Sequence, residues 1–314
     1  MQSKGMVINM EKISVDKINL NLRTDRKKFI SDCERDYSSQ LLAVASAISD
    51  RSFDRPIILL SGPSGAGKTT TALRLENMLE DLGHPSKTLS LDDYFLPHND
   101  SYENIDYEAP ERIDIPFLKK QLEDIANCKE VVLPDFNFKT QRRKPKEKYK
   151  REKNEIVVIE GIHALNPDVT GSGDDFSNNI YVSVRSRIID KDGVSFHPSK
   201  IRLIRRIIRD TQFRARTAQA VLHQFKSVER GENLYIMPYK ERSHFEINTF
   251  MGYELSVYKD YMTPLLSELK GAYPDYKKFV SIEKIFEQID SLDPSLVASD
   301  SVVREFYGGS MLRY

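Results

Sequence analysis

Apolar positions along this chain recur with two different periods. Between residues 25 and 50, Phe29, Ile30, Cys33, Tyr37, Leu41, Leu42, Val44, Ala45 and Ile48 fall near helical spacing and predict one amphipathic helix. Residues 1 to about 24 are polar and alternate only weakly, so they predict no element. Pro56-Ile-Ile-Leu-Leu-Ser61 is a short continuous apolar run with the character of a buried strand. It leads through a glycine-rich segment into a helix expected over residues 69–82 and ended by Gly83. Residues 87–91 predict a second strand, ending at Asp92-Asp93. Residues 156–159 predict a third, ending at Glu160-Gly161, and residues 179–184 a fourth. Strands alternating with helices over long connections predict an α/β fold: a mostly parallel sheet in a three-layer arrangement, covered on both faces.

Two segments interrupt that alternation. Residues 131–156 hold two strand-like pieces around a basic stretch at 139–153, which predicts a β-hairpin insertion. Residues 199–226 form a long helical pattern crowded with arginine. From about residue 290, Pro294, Arg304-Glu-Phe-Tyr307 and Gly308-Gly309 predict a loop and a short helix. The expected organisation is a helical extension over 1–52, a main domain over 53–290 with its arginine helix at 199–226, and a tail over 291–314 packed on that domain.

Composition narrows the class. The 314 residues are 39% hydrophobic and 30% charged, enough for a sizeable core, and Lys+Arg and Asp+Glu are both 47. That balance argues against a protein held to nucleic acid by bulk charge. Cys33 and Cys128 are the only cysteines and lie in no CxxC or Cys/His cluster, so neither a disulfide framework nor a zinc site is expected. No apolar run approaches the roughly 18 residues of a membrane span. A cytoplasmic protein is the expectation, and a homo-oligomer the expected assembly.

The clearest chemistry lies in Gly62-Pro-Ser-Gly-Ala-Gly67-Lys68-Thr69, which matches GxxxxGK[ST]. Glycines let consecutive backbone N–H groups turn toward phosphate oxygens, and the following helix adds its positive end. Lys68 would reach the β- and γ-phosphates, and the Thr69 hydroxyl would ligate Mg²⁺. The loop sits between an apolar strand and an amphipathic helix, the context the motif requires. Gly62, Ser64, Gly65, Ala66, Gly67, Lys68, Thr69 and Thr70 are therefore the expected ATP-binding residues.

Ligands of open α/β sheets sit beyond the carboxyl ends of the strands, so Asp92, Asp93 and Glu160 should face this loop. One carboxylate could accept the proton of an attacking hydroxyl and another hold Mg²⁺. Asp92 could equally be a helix-capping or turn residue, and Asp93 could exchange roles with it. Downstream, Arg202, Arg205, Arg206, Arg209, Arg214 and Arg216 lie within fifteen positions. Steps of three and four place Arg202, Arg205/Arg206 and Arg209 on one helical face. Such a face suits a closing lid that stabilises charge on a transferring phosphoryl group; the alternative is a solvated basic face. The basic stretch at 139–153 could attract a phosphate-bearing ligand, or could be a solvated hairpin with Glu147 and Glu152 interspersed.

Taken in order, Gly62–Thr70, Leu89-Ser-Leu-Asp-Asp-Tyr-Phe95, Asn104-Ile-Asp-Tyr107, Pro134-Asp-Phe-Asn-Phe138, Val158-Ile-Glu-Gly-Ile162 and Arg205-Arg-Ile-Ile-Arg-Asp210 resemble the uridine kinase and phosphoribulokinase family of P-loop kinases. Within it, Ile159-Glu-Gly-Ile-His-Ala-Leu-Asn-Pro167, Arg209-Asp-Thr-Gln-Phe-Arg214 and Val303-Arg-Glu-Phe-Tyr-Gly-Gly-Ser310 look like a bacterial nucleoside kinase branch. The resemblance spans roughly residues 55–312. It implies an ATP- and Mg²⁺-dependent kinase acting on a small nucleoside-like substrate, uridine or cytidine in character. It also implies roles: Asp92 as catalytic base, Glu160 near Mg²⁺, and Asp106 on the ribose hydroxyls. Phe136 and Phe138 would enclose the base, with Arg206, Arg216 and Gln224 on the nucleoside side and Arg209 and Arg214 on the phosphates. This chain departs from the pattern at Gln141, where pyrimidine-reading members carry histidine, at Phe136-Asn137-Phe138 for Tyr-Asp-Phe, and at Ala215 for a lid glycine. About fifty residues of expected helix stand where some members carry a TGS module. A sugar-phosphate kinase, or a nucleotide-binding module whose activity has decayed, are the competing readings.

Overall fold

The computed structural model describes residues 12–50, 55–97, 106, 108–137, 140–171, 177–273 and 276–313. Its frame is a five-stranded sheet built from β2 (Ile57–Ser61), β3 (Ser86–Ser90), β6 (Ile156–Glu160), β7 (Ser177–Ser183) and β10 (Phe245–Asn248). The spatial order is β10-β7-β2-β6-β3, and every pairing is parallel. The chain lays β3 and β6 on one side of β2, then β7 and β10 on the other. The winding therefore changes direction at β2, and ligands of such sheets gather beyond the strand ends at that switch.

Alternation along the strands makes the layers. Ile58 and Leu60 of β2, Val158 of β6, and Ile180 and Val182 of β7 enter one core. That core is shared with α1 (Val15–Ser49), α2 (Lys68–Asp81), α5 (Pro198–Phe213), α6 (Ala218–Gly231), α7 (Glu254–Ala272), α8 (Val280–Gln288) and α9 (Arg304–Tyr307). Ile57, Leu59, Val157, Ile159 and Tyr181 enter a second core. It lies beneath α3 (Ile115–Ala126), α4 (Pro167–Thr170) and the hairpin strands β4 (Val131–Asn137) and β5 (Arg142–Tyr149). Strands buried on both faces read as continuous apolar runs, which is why β2 and β6 were legible.

The predicted helix at 25–50 is longer than its pattern. It begins at Val15, with Ser14 Oγ accepting the Lys17 N–H at 3.1 Å as an N-cap. Ahead of it, β1 (Lys12–Ser14) pairs in parallel with β8 (Arg187–Ile189), which also pairs with β9 (Ser195–Phe196). Asp25 is non-helical at φ −155° and ψ 85°, so the kink breaks the period and hides Val15, Ile18 and Leu22 from a single-register reading. The helix is tied into the nucleotide-loop side of the molecule. Tyr37 Oη lies 2.8 Å from Thr71 Oγ1, and Arg74 donates to Ser38 Oγ at 2.7 Å.

The arginine-rich pattern at 199–226 is two helices, not one. Ala215 stands at φ 51°, a left-handed conformation that ends α5, and Thr217 Oγ1 caps α6 through the Ala220 N–H. The basic stretch at 139–153 is largely strand β5 itself rather than the loop of the hairpin. Its lysines are countered across the ladder and from β3: Lys144 by Asp135, Lys148 by Glu130, and Glu147 by Lys87 at 2.9 Å.

Candidate active site

The segment from Gly62 to Thr69 joins β2 to α2 and wraps the switch point. A Cβ on Gly62 would stand 2.0 Å from the carbonyl oxygen of Val182, so no side chain fits where the loop leaves the sheet. Gly67 holds φ 84° as the residue before α2, a conformation that costs glycine nothing and turns the loop into the helix. Ser64, Gly65, Gly67, Lys68 and Thr69 line a cleft of about 280 Å³. Ala66 is buried behind it, its carbonyl accepting from Thr249 Oγ1 at 2.6 Å. Thr70 is also buried, and its N–H and hydroxyl both donate to Glu305 Oε2, at 3.0 and 2.7 Å.

Two of the arginines serve the loop rather than a lid. Arg205 is fully buried; it pairs with Glu254 through two bonds at 2.7 and 3.0 Å and donates to the Gly65 carbonyl at 3.2 Å. Arg202 donates to the Ser64 carbonyl at 3.3 Å and pairs with Glu232 at 2.7 Å. Helical spacing grouped them with Arg206 and Arg209, but their guanidinium groups reach backbone carbonyls beneath the cradle. Arg206, Arg209, Arg214 and Arg216 do line the cleft. Arg206 donates to Ser64 Oγ, and burial, with Arg209 beside it, pulls its guanidinium down to about 10. Arg209 is held by Asp210, to which it donates from Nε at 2.8 Å. Arg216 donates to Gln224 Oε1, so the break at Ala215 brings these two predicted residues together.

The neighbouring aspartates separate cleanly. Asp92 lines the cleft opposite the cradle, its N–H resting on Ser90 Oγ at 3.3 Å. Asp93 turns the other way and accepts the Phe136 N–H at 3.2 Å, fastening the hairpin; burial raises its pKa. Glu160 ends β6 in the same cleft and accepts from Ser90 Oγ at 2.9 Å. Burial pushes its pKa up to about 7, with Lys68 pulling against that shift and Asp92 adding to it.

On the acceptor side, Gln141 faces the cleft from the hairpin turn at φ 53°. Phe136 is buried one layer back, edge-on to Phe95 at 5.7 Å between ring centroids, and it is Phe95 that meets the cleft. Phe138 lies outside the described residues. Asp106 is engaged by its own surroundings: Oδ1 accepts from the Glu108 N–H at 3.1 Å and Ser227 Oγ at 3.4 Å, and Oδ2 from Arg230 at 2.6 Å. The cleft wall there is made by Glu108 and Ser227 instead. Glu108, Phe95, Ser227 and Glu305 are the cleft residues that sequence reasoning left unassigned. Phe95 and Glu305 stood inside quoted motifs, whereas Glu108 and Ser227 carried no signal of their own.

A phosphate cradle at the winding switch of a three-layer parallel sheet, with carboxylates at two strand ends and four arginines closing the opposite wall, defines a P-loop phosphotransferase. The chain belongs to the phosphoribulokinase / uridine kinase family, whose sequence model matches residues 57–254. It is 31% identical over 193 residues to a uridine kinase of Lactobacillus johnsonii, covering 59% of this chain and 83% of that protein. To a uridine kinase of Staphylococcus epidermidis it is 30% identical over 218 residues, covering 68% and 96%. Among solved structures it is similar to phosphoribulokinase from Rhodobacter spheroides, with a TM-score of 0.43 at 15% identity over 61% of this chain and 69% of that one. The protein is thus a kinase with an alcohol acceptor and a small-molecule substrate, in a family whose P-loop kinases use ATP. No helix among the described residues is long and apolar enough to cross a membrane.

Proposed function

We propose that this protein is an ATP- and Mg²⁺-dependent nucleoside kinase that phosphorylates the 5′-hydroxyl of a uridine- or cytidine-like nucleoside. The observation that carries the reading is Asp92, placed in one cleft with Lys68 and Thr69 on one side and the Gln141, Gln224 and Arg216 wall on the other. The cradle N–H groups and Lys68 hold the triphosphate. Asp92 takes the proton of the acceptor hydroxyl as its oxygen bonds to the γ-phosphorus and the bond from phosphorus to the ADP oxygen breaks. Arg209 and Arg214 face the phosphoryl oxygens as charge spreads over them. Thr69 and Glu160 offer hard oxygen donors suited to Mg²⁺, and a divalent cation would relieve the penalty that burial places on the ionised Glu160. Magnesium there supplies charge neutralisation on the phosphates.

The sugar-phosphate reading is weakened by the hairpin, whose lysines are already countered by Asp135 and Glu130. A decayed module is weakened by the cleft, which keeps Lys68, Thr69, Asp92 and Glu160 together. Asp92→Asn tests the assignment. Its amide keeps the shape but cannot accept the proton, so kcat should fall by roughly 10²- to 10⁴-fold while ATP binding stays near the wild-type value. Turnover within tenfold of wild type would remove Asp92 from the base role.

A further inference from the structure

Glu108 stands out among the cleft residues. It is 9% exposed, and its Oε2 has no hydrogen-bond partner. Helix α6 presses on its stem: a Cβ on Gly231 would lie 2.3 Å from the Glu108 Cβ, so only glycine permits the approach that fixes this side chain. The groups that face the carboxylate are Arg206 and Lys68, which favour its charge, and Asp92 and Asp106, which oppose it; burial raises its pKa further. A buried carboxylate oxygen without a donor is costly, and proteins keep such groups where a ligand completes them. The ligand that fits donates hydrogen bonds and carries no negative charge, because a phosphate here would meet Glu108, Asp92 and Asp106 together.

Asp106, the residue that the family resemblance puts on the ribose, has both oxygens occupied by Ser227, Arg230 and the Glu108 backbone. Resting on the nucleoside kinase reading above, we infer that Glu108, rather than Asp106, binds the neutral vicinal diol of the acceptor and makes the enzyme selective for ribose over deoxyribose. Asp106 is a positioning residue: it accepts the Glu108 N–H and, through Arg230 and Ser227, ties that loop to α6.

The test compares wild type, Glu108→Gln and Asp106→Asn on uridine, cytidine and their 2′- and 3′-deoxy forms. ATP affinity and melting temperature serve as controls for folding. Glu108→Gln should raise KM for the ribonucleosides roughly 10- to 100-fold and bring the ribo-to-deoxy ratio in kcat/KM to near unity, with ATP affinity unchanged. A merely structural role would not move that ratio. Retained selectivity in Glu108→Gln, with selectivity lost in Asp106→Asn, would overturn the Glu108 assignment while leaving the nucleoside kinase reading intact. Failure of the wild type to bind or phosphorylate any nucleoside would sink both.

Discussion

Asp92 and Asp93 have the same chemistry and adjacent places in the chain, yet one faces the phosphate cradle and the other holds a hairpin N–H. Spacing alone leaves two such neighbours interchangeable; the turn after β3 separates them by aiming consecutive side chains apart. Lys68 and Thr69 were legible because the cradle needs its residues at fixed steps, and Glu108 was not, because it sits in an aperiodic loop that α6 presses into place. His163 is a residue of the same hidden kind. It is almost fully buried, and burial lowers its pKa from 6.5 to about 4. The unfolded chain therefore binds its proton more readily, so the neutral ring contributes stability above pH 6.5 that is lost as pH falls toward 4. The linkage amounts to at most about 3 kcal/mol. His163→Gln should flatten the fall in melting temperature between pH 6.5 and 4. An acid limb of the same slope in both proteins would contradict this.

At the scale of elements, continuous apolar runs disclosed the central strands, and the glycine-rich turn disclosed the start of α2. Kinks concealed the rest. Asp25 breaks the register of α1, and Ala215 divides the arginine helix so that Arg214 and Arg216 enter the cleft while Arg202 and Arg205 brace the loop. The tail helix α9 was expected to pack on the domain, and its contact is a specific one. Phe306 is buried under the Arg205 guanidinium at 4.9 Å, and Glu305 takes the N–H and hydroxyl of Thr70 at the start of α2. A carboxylate at that helix end competes with phosphate for the same positive potential. Glu305→Ala should therefore lower stability by about 1–3 kcal/mol, seen in thermal melts, because the buried Thr70 donors lose their acceptor. It should also tighten ATP binding roughly fivefold by removing a competing anion. Weaker ATP binding in the variant would mean that Glu305 supports the nucleotide instead.

At the scale of the molecule, the two cores on either face of the sheet hold the strand ends in register, and the cleft is where their loops converge. The fold followed from alternation of strands and helices, and the phosphate-binding half of the site from one motif. The acceptor half depends on the hairpin, α6 and the loop carrying Glu108, three elements far apart in sequence whose meeting no local pattern records. The claim that unites them is transfer of phosphate to a nucleoside. It is tested most directly by incubating the protein with ATP and Mg²⁺ across a panel of nucleosides and sugar phosphates, following ADP release and identifying the product by NMR. The account predicts turnover of a pyrimidine ribonucleoside to its 5′-monophosphate and none of the sugar phosphates. Protein that binds ATP yet phosphorylates no nucleoside, or that prefers a sugar phosphate, would contradict it.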